Sequence, residues 1–311
     1  MSTEIEGLHH VGHVVRNLEG AVEVYRRLGF SVEPPVYPLL PAAGTGAPRP
    51  FGAANTHVPF GGNFVELASF VDEDKPLPAG ARTSVIQPPP EHLARITESI
   101  RRTSANLARC LARFEGLHIL ALQSASAEAS ATRLSARGVG HEGVASIQRP
   151  VETPQGPRLD TIRFLELAPV PEGRLAIAEK PAVSSAQEHP NGATALIEAM
   201  VCVPADERAA FVTRYEALLG CAGEPARFGV RYALGAGAVR LVTPRELSEA
   251  LPGEVPPGLP AFVAMAISVK DLGALRRFLG ERGTPAIEAA EGAVFVPASA
   301  ALGAAVVFRA A

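Results

Sequence analysis

Two segments of this chain share one order of features: an apolar strand that carries histidine, then a helix, then strands that end on a glutamate. The first segment runs from the strand around His10 to the apolar strand that carries Glu66. The second runs from the strand around His118 to the apolar strand that carries Glu166. A unit repeated together with its polar residues constrains the fold strongly, because the two copies are expected to pack against each other.

Hydrophobic periodicity assigns the elements inside these units. Residues 18–28 place apolar side chains at the i, i+3, i+4 spacing of a helix packed on one side. Short strands are expected at 54–59 and 63–69. The second unit repeats the order, with a helix near 125–136, and a longer amphipathic segment over 91–114 lies between the two units.

Two further units of the same order follow, one starting near residue 193 and the other near residue 262. We therefore predict an α+β fold of four β-α-β-β-β modules, paired into two cupped mixed sheets. The second pair has no histidine in its first strands, so we expect a metal-free copy, with Arg240 as a weak candidate for binding an anion. The predicted domains are residues 1–180, with modules at about 7–70 and 116–169 and a helical linker at 88–114, and residues 190–311, after a boundary at 181–192.

Composition and charge narrow the classes of function. A formal net charge of −3 gives no basic surface for nucleic acid and no polybasic patch for a membrane. No apolar run approaches the roughly 20 residues that span a bilayer. The three cysteines, at positions 110, 202 and 221, lack metal-site spacing and favour a reducing cytoplasm. We expect a small-molecule substrate as the partner, with a homodimer allowed but not needed to complete a site within one chain.

The candidate metal ligands are His10, Glu66, His118 and Glu166. An ionised carboxylate in an apolar strand is costly unless it is paired, hydrogen-bonded or bound to a metal. Two neutral imidazoles and two carboxylates would neutralise a divalent cation and leave positions open for water or substrate. This mixed set suits Zn, Mn, Fe, Ni or Co. The alternative is that the glutamates lie at exposed strand ends and the histidines are capped surface residues.

Strand alternation predicts which side chains share a face. His10 and Gly12 fall on one face of their strand, whereas His13 falls on the other and is expected in the core. Gly12 would leave room beside His10 for substrate. Asn55 and His57 lie on a strand that should border the same cleft, so they are candidate substrate-binding residues.

Two stretches near the N-terminus carry a resemblance to a known superfamily. Residues 8–18 and 21–30 resemble the opening strand, the helix and the Leu-Gly-Phe step of the vicinal oxygen chelate superfamily, which includes glyoxalase I, extradiol dioxygenases and fosfomycin- and bleomycin-resistance proteins. Residues 12–18, 49–55 and 189–193 resemble motifs of a glyoxalase-like subgroup. The resemblance implies a cupped sheet around a divalent metal, with ligands from the first and last strands of each module.

The resemblance also implies a class of chemistry. The metal would act as a Lewis acid that holds two neighbouring oxygens of a small substrate. Glu66 or Glu166 would serve as the proton-transfer base. Isomerase, lyase and dioxygenase reactions stay open, with proton transfer favoured by the two carboxylates. The alternative function is a metal-free protein that binds a small molecule or sequesters an antibiotic.

Overall fold

The protein is described here by a computed structural model that covers residues 4–40, 47–87, 90–153, 156–180 and 187–311. Two predicted segments fall partly outside these ranges: residues 88–89 of the helical linker and residues 181–186 of the domain boundary. None of the helices in the described ranges is long and apolar enough to cross a membrane.

The first half of the chain forms one mixed sheet. Its strands run in the spatial order β3-β2-β4-β5-β1-β7-β10-β9-β8, and β6 pairs with β2. The strands are β1 (Ile5–Val14), β2 (Val36–Leu40), β3 (Arg49–Pro50), β4 (Ala53–Pro59), β5 (Phe64–Phe70), β6 (Arg82–Val85), β7 (Gly116–Ser124), β8 (His141–Thr153), β9 (Gly156–Leu167) and β10 (Arg174–Glu179). The helices are α1 (Leu18–Arg27), α2 (Pro90–Arg113) and α3 (Ala127–Ala136).

The second half forms a second mixed sheet, in the order β12-β13-β14-β11-β15-β18-β17-β16. Its strands are β11 (Ala193–Cys202), β12 (Glu224–Pro225), β13 (Val230–Ala233), β14 (Ala238–Val242), β15 (Ala261–Val269), β16 (Ile287–Glu288), β17 (Val294–Val296) and β18 (Ala305–Ala310). Its helices are α4 (Arg208–Leu219), α5 (Pro244–Ala250) and α6 (Leu272–Glu281).

The same pairing rule builds all four modules. In each module the last strand pairs in parallel with the first: β5 with β1, β10 with β7, β14 with β11 and β18 with β15. Two antiparallel pairs, β1 with β7 and β11 with β15, then join the modules into two sheets. The predicted α+β fold of four modules in two sheets is confirmed.

The second module is one strand longer than predicted. Its sequence predicts an end at about residue 169, on the strand that carries Glu166. The structure adds β10, and β10 rather than β9 pairs with β7. This strand is short and alternates small and larger apolar residues, so its pattern is weaker than that of β9.

Four helices, α1, α3, α5 and α6, begin where a side chain accepts a hydrogen bond from a free backbone N–H group of the first turn. Asn17 accepts a hydrogen bond from the Gly20 N–H at the start of α1. Thr243 and Glu246 form a reciprocal capping box at the start of α5. These caps fix the point at which the chain enters each of these helices, which lie over the sheets.

A single core joins the two halves. Val11 and Leu120 of the first sheet belong to the same buried cluster as Leu196 and Phe262 of the second. The opposite face of each sheet, which carries His10 in the first and Met200 in the second, is here called the first cup and the second cup.

A helix fills one end of each cup. In the first cup, Leu107 and Leu111 of α2 pack on Val14, Ala68 and Ile119. In the second cup, the apolar side chains of α5 pack at the corresponding end. The opposite end of each cup carries polar side chains instead.

Candidate functional site

The centre of the candidate site is a histidine and a glutamate on neighbouring parallel strands. β1 and β5 pair so that Gly12 lies opposite Glu66 and His10 opposite Phe64. Since alternate residues share a face, His10 and Glu66 point into the first cup together. His10 Nε2 lies 3.9 Å from Glu66 Oε2, and both side chains are less than a fifth exposed.

β4 supplies the two predicted substrate-binding side chains beside this pair. Asn55 Nδ2 donates a hydrogen bond of 2.9 Å to Glu66 Oε1. His57 lies directly opposite Glu66 in the β4–β5 register. Its Nδ1 is 3.3 Å from the carboxylate of Glu33. The carboxylate of Glu66 is therefore oriented on one oxygen by Asn55, and its other oxygen faces His10.

Phe64 is a site residue that the sequence analysis missed. The His10 ring stacks on it at a centroid distance of 4.6 Å. The rings of His57 and His9 meet it edge-on at 4.9 and 5.3 Å. Phe64 precedes Glu66 by two positions in one strand, so alternation alone would have placed it on the same face.

Gly12 does not open space for a ligand. A methyl group added at Gly12 would stand 2.7 Å from Cβ and Cδ1 of Ile119. The space above Gly12 is filled by this side chain, which belongs to the cluster under α2. The expectation that Gly12 leaves room for substrate is corrected: its missing side chain admits Ile119.

Glu166 lies in the first cup but far from His10. It is on β9, three strands away in the order β1-β7-β10-β9, so about 14 Å of sheet separates the two backbones. Its carboxylate forms an ion pair with Arg174 on β10. The guanidinium group of Arg174 supplies the positive charge that the sequence interpretation assigned to a metal.

His118 is separated from the site by the direction of its side chain. Ile119 faces the first cup, and its neighbour His118 is completely buried elsewhere. Its ring stacks on Phe114 at 4.3 Å, and Nε2 donates a hydrogen bond of 2.9 Å to the Phe114 carbonyl oxygen. Burial lowers the pKa of this imidazole to about 4.

A repeated tetrapeptide shows why His118 was matched to the wrong partner. Glu-Gly-Leu-His occurs at residues 6–9 and again at residues 115–118. In this alignment His118 corresponds to His9, whose side chain is also buried, rather than to His10. The position equivalent to His10 is Ile119.

The four predicted ligands therefore do not converge on one cation. Of the four, only His10 and Glu66 lie together. Across the described ranges no three His, Cys, Asp or Glu side chains are grouped in a way that could hold a metal ion. The residues present do not fit a four-ligand metal shell.

The paired modules and the polar cluster in one cup define the class of the protein, a vicinal oxygen chelate fold. A glyoxalase-like domain family matches residues 8–219, and the chain belongs to this family. The search of curated proteins found no match.

Solved structures of low sequence identity share the fold of this chain. A triple mutant of 4-hydroxymandelate synthase from Streptomyces coelicolor is similar with a TM-score of 0.59 and 13% identity, covering 98% of this chain and 93% of that one. A hypothetical protein from Staphylococcus aureus has a TM-score of 0.56 and 11% identity, covering 98% and 99%. A fusion of a xylose isomerase-like barrel with 4-hydroxyphenylpyruvate dioxygenase has a TM-score of 0.55 and 12% identity, covering 99% of this chain and 49% of that one.

Proposed function

We propose that the first cup is the active site of an enzyme that moves a proton on a small oxygenated substrate. The observation that carries the proposal is the gap of 3.9 Å between His10 Nε2 and Glu66 Oε2. This gap is too long for a direct hydrogen bond, so the carboxylate and the imidazole can both contact one substrate from the same side, each at a hydrogen-bond distance of about 3 Å.

Each side chain then has a role. Glu66 removes a proton from the carbon next to a substrate carbonyl group, and Asn55 keeps its carboxylate in place by the bond to Oε1. His10 hydrogen-bonds to the substrate oxygen, on which negative charge develops. His57, oriented by Glu33, binds a second oxygen of the same substrate.

Proton exchange with solvent tests this proposal without knowledge of the product. Small hydroxy-carbonyl and dicarbonyl compounds are incubated with the protein in deuterium oxide, and loss of the proton signal next to the carbonyl group is followed by NMR. Glu66→Gln should slow the exchange by about 10²- to 10⁴-fold, because the general base is lost.

Glu166→Gln is the matched comparison, since the same change is made in the same sheet. We expect exchange close to that of the wild type, because Glu166 is paired with Arg174 away from His10. Equal losses in both variants would contradict the assignment of the base to Glu66. Tight binding of a compound with no exchange would favour the metal-free binding protein over the enzyme.

A second candidate keeps a divalent cation, held by His10 and Glu66 alone. Its ligands would be the imidazole nitrogen of His10 and the carboxylate of Glu66, which face each other across neighbouring strands. Such a cation would polarise a substrate oxygen as a Lewis acid. Metal analysis after reconstitution with Mn, Ni, Fe or Zn tests it: one ion per chain should be lost in His10→Ala and kept in Glu166→Ala. Loss in both variants, or no ion in the wild type, would refute the two-residue site.

A further inference from the structure

The second cup has a polar cluster at the position of the candidate active site. The register of β1 against β7 shifts at three places along the strand. The register of β11 against β15 shifts at three places with the same spacing. When the two sets of shifts are aligned, Glu198 takes the position of His10, because each residue directly follows the second shift.

The neighbouring strands extend this correspondence to two more positions. Arg240 takes the position of Glu66. Glu66 pairs with the residue two places after His10, and Arg240 pairs with the residue two places after Glu198. Arg231 takes the position of His57, because His57 pairs with Glu66 on the neighbouring strand and Arg231 pairs with Arg240 in the same way. The positions of His10, His57 and Glu66 therefore all carry charged residues in the second cup.

Two of these positions have the opposite charge in the second cup, since a glutamate replaces His10 and an arginine replaces Glu66. The carboxylate of Glu198, which is 2% exposed, lies 3.0 Å from Arg240 Nε, 3.1 Å from Arg309 Nη2 and 3.4 Å from Arg231 Nε. Glu291 approaches Arg240 at 3.4 Å and Arg309 at 3.7 Å. Three guanidinium groups face two carboxylates, so the cluster carries one positive charge in excess.

The excess charge is accessible from solvent. Arg231 is 38% exposed and Arg309 is 25% exposed, whereas Arg240 lies almost completely buried behind them. Nε of Arg309 and Nε of Arg240 are buried, and no hydrogen bond of good geometry reaches either atom from the described residues. The exposed carboxylate of Glu224, opposite Arg231 on β12, forms no ion pair with it among the described residues.

We propose that the second cup is a binding site for a small oxyanion, a carboxylate or a phosphate group, held by Arg231 and Arg309 with Arg240 behind them. The planar guanidinium group offers paired N–H donors that match both kinds of oxyanion. Glu198 already places a carboxylate against these three side chains, so the arrangement accommodates that geometry. A cation is excluded from the position that corresponds to the first cup, because arginine replaces the glutamate there.

A purely structural ion network is the competing explanation. In a network of that kind the ion pairs within the protein would satisfy the arginines, and added anions would not bind. The two explanations differ in what happens at Arg231, the most exposed of the three side chains, whose loss leaves Glu198 paired with Arg240 and Arg309.

Inorganic phosphate and malonate are the probes. Each is titrated in the millimolar range into the full-length protein, with chloride adjusted to hold ionic strength constant. Binding is measured by isothermal titration calorimetry and by the shift in melting temperature. We expect saturable binding to the wild type and a loss of affinity of about tenfold or more in Arg231→Gln, because a charge-assisted hydrogen bond is removed.

Arg245→Gln is the control, since Arg245 is an exposed side chain of α5 that forms an ion pair with Glu249, four residues along the same helix. It should bind as the wild type does. Glu198→Gln should bind more tightly, because a competing carboxylate is removed, and the Arg231 comparison decides the matter if that variant does not fold. Binding of phosphate alone or malonate alone would assign the site to that group. No saturable binding of either, or equal binding by Arg231→Gln and Arg245→Gln, would overturn the proposal.

Discussion

Two glutamates in nearly identical surroundings along the chain have different roles in the fold. Glu66 stands between Val65 and Leu67, and Glu166 stands between two leucines. Glu66 is oriented by Asn55 and faces His10, whereas Glu166 is neutralised by Arg174. The difference comes from the neighbouring strand, which is β4 with Asn55 for Glu66 and β10 with Arg174 for Glu166. The residues next to each glutamate in sequence do not indicate which strand will lie beside it.

Gly12 provides a prediction at the same scale. Gly12→Ala should destabilise the protein by about 1–3 kcal/mol, because the new methyl group would lie 2.7 Å from Cβ of Ile119 in a packed cluster. Urea unfolding monitored by circular dichroism measures the change.

Gly280→Ala is the matched control for this glycine. Gly280 is exposed in α6, and an added methyl group there meets no atom within 4 Å. We expect it to stabilise the protein by about 0.5–1 kcal/mol, because alanine favours the helix. If Gly12→Ala unfolds like the wild type but loses only activity, the space above Gly12 belongs to substrate after all.

At the scale of elements, the helices were the most predictable part of the chain. Predicted segments at 18–28 and 91–114 became α1 (Leu18–Arg27) and α2 (Pro90–Arg113). Their one-sided apolar spacing repeats over several turns, which gives a strong signal. By contrast, β2 (Val36–Leu40) lies beside a region rich in proline and glycine, and a strand of five residues has little periodicity to detect.

Because α2 packs into one end of the first cup, its buried side chains are predicted to stabilise the protein. Leu107→Ala should cost about 2–4 kcal/mol of stability, because Leu107 is buried between α2 and the sheet and its removal leaves a cavity. Leu93→Ala, at a partly exposed position on the same helix, should cost less than about 1 kcal/mol. Equal costs, measured by urea unfolding, would show that α2 is not held by its contact with the cup.

At the scale of the whole molecule, a buried histidine joins the two halves. His13 donates a hydrogen bond of 2.7 Å from Nε2 to the Leu302 carbonyl oxygen and accepts one of 2.8 Å at Nδ1 from Tyr25. A neutral ring with its proton on Nε2 satisfies both partners. Burial lowers the pKa of His13 to about 4, against the bond to Leu302, which raises it. The prediction of a core histidine at this position is confirmed.

This arrangement predicts acid destabilisation. The unfolded chain takes up a proton on His13 near pH 6.5, whereas the folded protein resists it until about pH 4. Stability should therefore fall as the pH is lowered between these values, by up to about 3 kcal/mol from this group. His118, with its pKa also lowered to about 4, should add to the loss over the same range.

The pH dependence of urea midpoints in wild type and His13→Gln measures this effect. The variant should show a smaller loss between about pH 6.5 and pH 4, since one of the buried imidazoles is gone. His92→Gln, at an exposed position on α2, should keep the wild-type slope. A slope unchanged in His13→Gln would contradict the role of this histidine.

The sequence by itself determined the architecture of four repeated modules, and it named His10 and Glu66 among four predicted ligands. Periodicity, glycine turns and alternation along a strand are local properties, so they can be read from neighbouring residues. They place a side chain on a face of its strand, and that sufficed for His10, His13 and Glu66.

Only the tertiary structure decided which faces meet. It added β10, which moved Glu166 off the strand next to β7, and it turned His118 toward Phe114 rather than into the first cup. It also brought Arg231, Arg240 and Arg309 around Glu198 from separate strands. The physical reason is that strand order and register are set by packing between segments distant in sequence, and one added strand or one displaced residue changes the neighbours of every side chain beyond it.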